Sequence, residues 1–297
     1  MMKKTLLCFS VFAALASALV QAKPLPVAAS FSILGDIVQN VGGERIELTT
    51  LVGPDQDAHV YQPTPADIQR LTRTRLLFVN GLGFEGWQKR LQQASKYRGQ
   101  IVTVSQGIAA REANHGHGHR HGHDPHVWQD PVRVKQMVQN IRDALSAADP
   151  EGRAYYQTRA ANYNRELDQL LEWANQQVAT IPQSKRVVLT SHDAFGYLGQ
   201  RLGIKLLAPQ GVSTEAEASA RDVARLIQQM KKTGIRAVFM ENISNPKLVE
   251  QIARDTGTRA GGRLYSDALS RDGAANTYLK MYRHNVGMLV TGMQGNQ

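Results

Sequence analysis

Residues 153–181 contain neither glycine nor proline. Within this stretch Tyr156, Ala160, Tyr163, Leu167, Leu170, Leu171, Ala174 and Val178 recur at the spacing of one helical face. A single helix over 151–180 is predicted, and at about 1.5 Å per residue it is roughly 40 Å long. A rod of that length can run along two domains, so the chain divides into a part before it and a part after it.

Both parts alternate short apolar runs with amphipathic segments. The first gives strand candidates at 25–29, 46–51, 76–80 and 101–104, and the second at 186–190, 205–207, 237–240 and 263–265. Helical patterns lie between them. Leu34, Ile37, Val38 and Val41 form one stripe, and Val134, Met137, Val138, Ile141 and Leu145 form another. Thr64-Pro65 opens a helix with proline in its first turn. Strands alternating with helices predict parallel sheets covered on both faces. The expected architecture is α/β, with two Rossmann-like lobes joined by one long rigid helix. The boundaries are 23–149 for the first lobe, 150–182 for the linker helix and 183–297 for the second lobe.

The first 22 residues stand apart. Lys3 and Lys4 precede an apolar run over 5–20, and Val20-Gln21-Ala22 offers small residues for cleavage, so 1–22 reads as a secretory signal peptide. The only cysteine, Cys8, sits at the start of that run rather than at the cleavage point, so a free periplasmic chain without a lipid anchor is expected. The remaining chain has no thiolate, and any metal site must use His, Asp or Glu. Net charge is +10, and losing Lys3 and Lys4 leaves +8. No long Lys/Arg run accompanies that charge, so a solvated basic surface is expected and nucleic acid is not.

Six of the nine histidines fall in "HGHGHRHGHDPHVWQD", residues 115–130. Three other candidates share a position with the last of these six. His59 follows the second strand candidate and His126 follows the fourth. His192 ends "RVVLTSH", and Asp267 follows "GRLYSD". All four lie just past the carboxyl ends of parallel strands, where open α/β sheets bind ligands. Three imidazoles and one carboxylate suit a tetrahedral Zn²⁺, and nitrogen-rich ligation favours it over Mn²⁺. Any one of these histidines, taken alone, could equally be structural or solvated. His192 is expected to begin a helix, whose dipole would favour the neutral imidazole. Asp193, Glu215 and Glu241 are candidates for orienting the imidazoles, or else surface or capping carboxylates.

The motifs "DAHVYQPTPADI", "VNGLGFEGW", "DPHVWQDP", "LTSHDAFGYLG" and "YSDALS" carry a resemblance. In that order they look like the periplasmic zinc/manganese-binding proteins of ABC-type metal importers (cluster A-I), closest to AztC-type zinc binders. The likeness spans nearly the whole chain after residue 22. It implies two α/β lobes with one metal in the cleft between them, held by His59, His126, His192 and Asp267. It implies capture of Zn²⁺ and delivery to an inner-membrane ABC permease by a monomer, with a periplasmic zinc metallochaperone as a further partner. A manganese-selective branch carries Glu where this chain has His192, so Mn²⁺ is expected less.

Within the tract, Pro125 and Trp128 break the Gly/His alternation and give His126 a fixed setting. His115, His117, His119, His121 and His123, in the loop 113–125, form an auxiliary set that binds weakly because ordering it is costly. Neutral imidazoles are required, so affinity should fall as pH drops through about 6.

Two motifs mislead. "GLGFEG" matches a dinucleotide fingerprint, but Glu85 would face the phosphate, so a tight structural turn is expected. Ser191-His192-Asp193 are adjacent and cannot converge as a hydrolase triad. A transport protein is therefore expected rather than an enzyme. A manganese-binding homologue, a zinc-dependent hydrolase and a surface adhesin are the alternatives.

Overall fold

A computed structural model describes residues 23–113 and 122–296. The expected signal peptide and His115, His117, His119 and His121 lie outside the described residues.

The first half runs β1 (Leu25–Phe31), α1 (Ser32–Gly42), β2 (Ile46–Val52), α2 (Pro65–Leu71), β3 (Leu76–Val79), α3 (Gln88–Ser95), β4 (Gln100–Thr103) and α4 (Pro131–Ala148). The helix α5 (Arg153–Ala179) follows. The second half runs β5 (Val187–Leu189), α6 (Gly196–Leu202), β6 (Lys205–Leu207), α7 (Ala220–Thr233), β7 (Val238–Glu241), α8 (Lys247–Thr256), β8 (Ala260–Leu264) and α9 (Tyr278–Gln294).

The strands form two four-stranded sheets, ordered β2-β1-β3-β4 and β6-β5-β7-β8. Every pairing within them is parallel. The fold is thus the two-lobed α/β architecture expected. The two halves share one strand order, which no short sequence repeat reveals.

Local chemistry explains several boundaries. Thr64 and Asp67 form a reciprocal capping box around Pro65 at the start of α2. Asp130 caps α4, with Pro131 in its first turn. Most strand boundaries lie within two residues of expectation, and one differs by more. Strand β8 starts at Ala260 rather than at 263, because Gly261-Gly262 reads as a breaker in sequence while the backbone pairs with β7.

The helix α5 buries Tyr156, Ala160, Tyr163, Leu167, Leu170, Ala174 and Val178, with Leu171 only partly covered. It packs against α1, α4 and α9. One apolar core therefore runs from Val27 of β1 through Leu167 of α5 to Phe239 of β7 and Leu289 of α9. A smaller cluster under α7 and α8 includes Val223, Met230, Val249 and Ile252.

Candidate metal centre

The loops beyond β2, β4, β5 and β8 bring His59, His126, His192 and Asp267 together. One donor atom from each lies within 4.8 Å of all the others. His59 is 6 % exposed and the other three are fully buried. His59 Nε2 and His192 Nε2 each stand 3.2 Å from Asp267 Oδ2, and His126 Nε2 stands 3.5 Å from Oδ1. The three Nε2 atoms and both Asp267 oxygens are buried without a hydrogen-bond partner. Such a cluster of orphaned donors is costly unless a cation satisfies it. In a tetrahedral zinc site, donors about 2.0–2.1 Å from the ion lie about 3.4 Å apart. The distances of His59 and His192 from Asp267 Oδ2 already match that edge, while His126 approaches the other oxygen. Among the described residues this is the one group of three or more His, Cys, Asp or Glu side chains that could hold a metal.

Each imidazole is aimed by its surroundings. The sequences Asp57-Ala58-His59 and Asp124-Pro125-His126 repeat one device: Asp57 Oδ1 accepts the His59 backbone N–H at 2.9 Å, and Asp124 Oδ1 accepts that of His126 at 3.0 Å. Asp124 Oδ1 also lies 2.8 Å from His126 Nδ1. Glu241 Oε2 lies 2.5 Å from His192 Nδ1, while Oε1 accepts the backbone N–H groups of Ser191 and His192. With Nδ1 engaged, Nε2 is the atom left to face the ion. The His59 ring packs edge-on against Phe84, 4.7 Å between centroids. Trp87 Nε1 fixes the neighbouring backbone by donating to Ala58 O.

Electrostatics link these groups. Burial alone would lower the pKa of His126, but Asp267 and Asp124 outweigh it and raise it to about 9. Burial likewise opposes protonation of His192, yet Glu241 and Asp267 hold its pKa well above the ordinary value. Burial would raise the Asp267 pKa, and His192 and His126 instead hold it well below the usual range.

Several expectations need correction. His192 does not begin a helix. Ala194 N–H bonds back to its carbonyl, Asp193 N–H to Gly211, and α6 starts only at Gly196. No helix dipole favours the neutral ring; flanking carboxylates favour the protonated one. Of the three candidate carboxylates, Glu241 bonds an imidazole and the other two match the alternative reading of surface or capping groups. Asp193 is half-buried and bonds none of the rings, and burial, then Asp124, raises its pKa. Glu215 is exposed, its backbone N–H donating to Ser213. Asp124 takes the orienting role, and its signal was the Asp-x-His spacing that it shares with Asp57. Arg111 bonds Asp124 at 3.0 Å, and Gly196 admits this guanidinium where any Cβ would collide with it. Of the auxiliary set only His123 is described. It is exposed, pairs with Glu112 in an antiparallel bridge, and stands apart from the cluster.

The "GLGFEG" segment is a turn. Gly81 adopts φ 85°, and Glu85 points inward to accept from Ser30 Oγ and from the N–H groups of Asn80 and Gly81. That carboxylate occupies the ground where a phosphate would sit.

Comparison with known proteins agrees with this geometry. The family described as zinc-uptake complex component A periplasmic (ZnuA) matches residues 27–292. The manganese-binding lipoprotein MntA of Halalkalibacterium halodurans is 34 % identical over 91 % of this chain and 88 % of its own. The zinc-binding protein TroA of Treponema pallidum is 31 % identical over 91 % and 89 %. The structure of TroA superposes with a TM-score of 0.84 at 29 % identity, covering 91 % of this chain and 99 % of that one. These relatives are named for the metal they bind and not for a reaction. Both metals appear among them, so they lend no support to ranking manganese below zinc. The word lipoprotein in the name of MntA runs against an unanchored chain, and Cys8 lies outside the described residues.

Proposed function

The chain belongs to the ZnuA family, the metal-binding substrate-binding proteins of ABC importers, and from that premise we propose that it captures Zn²⁺ in the periplasm and delivers it to an inner-membrane permease. The observation that carries this reading is the convergence of three orphaned Nε2 atoms on the Asp267 carboxylate. Four protein donors fill a tetrahedral sphere and leave no position for the reactive water that a zinc hydrolase needs. Such a site suits holding and release, and three imidazoles suit zinc. The His/Gly tract, including His115, His117, His119, His121 and His123, collects zinc ahead of the buried site.

A second reading has a specific support. Both oxygens of Asp267 lack partners and both face imidazoles. Bidentate binding would supply a fifth ligand and a more oxygen-rich sphere, which suits Mn²⁺.

Metal analysis of protein purified without affinity resin, followed by equilibrium dialysis against a metal-buffering chelator, tests both readings. One tight zinc ion per chain is expected, and it should survive deletion of 115–123. Asp267→Ala should weaken binding at least 100-fold while the fold is kept. Undiminished affinity in that variant would remove Asp267 from the site. Tighter retention of manganese than of zinc would overturn the choice of cargo.

A further inference from the structure

Every strand of the first sheet starts beside a cation: Lys23 before β1, Arg45 before β2, Arg75 before β3 and Arg98 before β4. This edge is the pole opposite the metal site, which lies at the carboxyl ends. Three of these cations converge with Arg70 and Arg73, which lie at the end of α2 and just past it, in a cleft of about 570 Å³ beside the edge strand β2. Its carboxylates are Glu47 and Asp149. Asp149 is taken up by a two-point bond with Arg45 (2.8 and 2.9 Å), and Arg70 is held by Asp67. Lys23, Arg73 and Arg75 are exposed and make no salt bridge among the described residues. A cation past a helix end stabilises the helix dipole, which explains Arg73. Lys23 follows no described helix, so that explanation does not reach it. The second sheet also starts its strands beside cations (Arg186, Lys205, Arg236 and Arg259), yet the cleft of about 210 Å³ there has Lys205 as its one cation.

We propose that the first-lobe cleft is a docking face for an anionic phospholipid surface, seating the chain with its metal site turned away from the bilayer. Charge complementarity is one argument. The other is the position of the remaining chain: residues 1–22, with Lys3, Lys4 and the apolar run over 5–20, join the described part at Lys23, inside this cleft. Removal of that segment after Ala22 leaves a new α-amino group on Lys23, one more positive charge at the cationic face. The inference does not depend on which ion the protein carries. Three unpaired cations set against one unpaired carboxylate, Glu47, leave a net +2, which at an anionic surface corresponds to roughly thirtyfold in partitioning.

Protein recovered from the periplasm, its N-terminus read by mass spectrometry, should be sedimented with phosphatidylcholine vesicles with and without phosphatidylglycerol. Binding is expected only with phosphatidylglycerol, and it should vanish as salt approaches 1 M. Lys23→Glu/Arg73→Glu/Arg75→Glu should lower binding at least tenfold, and Lys23→Glu alone several-fold. Lys205→Glu/Arg236→Glu/Arg259→Glu, an equal charge change on the second lobe, should retain it. Zinc affinity should be unchanged in all variants, which reports an intact fold. Equal binding to neutral vesicles, no binding to either kind, or equal loss in the two triple variants would overturn the proposal.

Discussion

His126 sits between two carboxylates, Asp124 behind its ring and Asp267 in front, and His192 sits likewise between Glu241 and Asp267. The buried group therefore contains three carboxylates and, through Arg111, one fixed cation. Two protons on the imidazoles would balance that charge without metal, as one divalent ion would with it. Metal binding is then an exchange of Zn²⁺ for protons at the same Nε2 atoms. Between one and two protons should leave per zinc at about pH 7, measured by titration calorimetry in buffers of different ionisation enthalpy. Because the His126 pKa is raised to about 9, proton competition should begin below that value, not only below the ordinary imidazole range. Zinc affinity should fall steadily from about pH 9 downward, and a flat profile between 7 and 9 would contradict the exchange. Asp124→Asn keeps the shape but removes the charge behind the ring, and should weaken zinc about 10–100-fold. The donors were legible in the sequence because strand ends are legible. Glu241 and Asp124 both hold a ring Nδ1, but only the first was among the sequence candidates. A short-range Asp-x-His turn looks like loop composition until its hydrogen bonds are seen.

At the level of elements, the sequence pattern anticipated the eight strands found among the described residues and, of the helices, α1, α2, α4, α5 and, with a misplaced start, α6. Its failures were local: a glycine pair concealed the start of β8, and "HDAFGYLGQRL" looked helical from its first residue. The Ala194 and Asp193 backbone bonds hold that segment in a turn before α6 can begin. Periodicity also said nothing of how helices from the two halves meet. Asp36 of α1 accepts the Tyr278 N–H at the start of α9, 2.9 Å away, using one of that helix's orphan donors. Burial raises its pKa from 3.8 to about 6, with the Tyr278 hydrogen bond opposing. A carboxyl whose folded pKa is raised stabilises the fold most while protonated, below its unfolded value, and that contribution is lost as pH rises through about 6. Asp36→Asn should remove this slope between about pH 4 and pH 6 and leave the chelator-treated protein more stable at about pH 7, by on the order of 1–3 kcal/mol. Thermal melts of both proteins across that range check it, and parallel curves for the two would refute it.

At the scale of the molecule, two sheets do not make two independent cores. One apolar network passes through α5 and α9 from the first sheet into the second. Polar bonds close the cleft above it. Trp128 Nε1 and Gln129 Nε2 both donate to Ser266 O, Arg201 pairs with Asp130, and Tyr197 Oη donates to Asp124 O. Asp55 grips the loops around Asn242 and Arg271, and its N–H donates to Leu269 O. Releasing the ion by parting the lobes must break these bonds, but the shared core limits how far the lobes can part. Asp55→Ala should therefore hasten zinc loss to a chelator several-fold while changing its capture less, as seen by stopped-flow. The same continuity fixes how the chain unfolds. If the lobes owned separate cores, each would melt by itself, and zinc would shift only the transition that breaks the cleft. With the main core shared and only the smaller cluster under α7 and α8 confined to one lobe, calorimetry of the metal-free protein should give a single transition whose calorimetric and van't Hoff enthalpies agree. Free zinc at 100 times its Kd should raise that transition as a whole, adding about 2.7 kcal/mol. Asp267→Ala should abolish the shift and keep the single transition, whereas two transitions in the metal-free chain would mean that α5 and α9 bridge the lobes without coupling them.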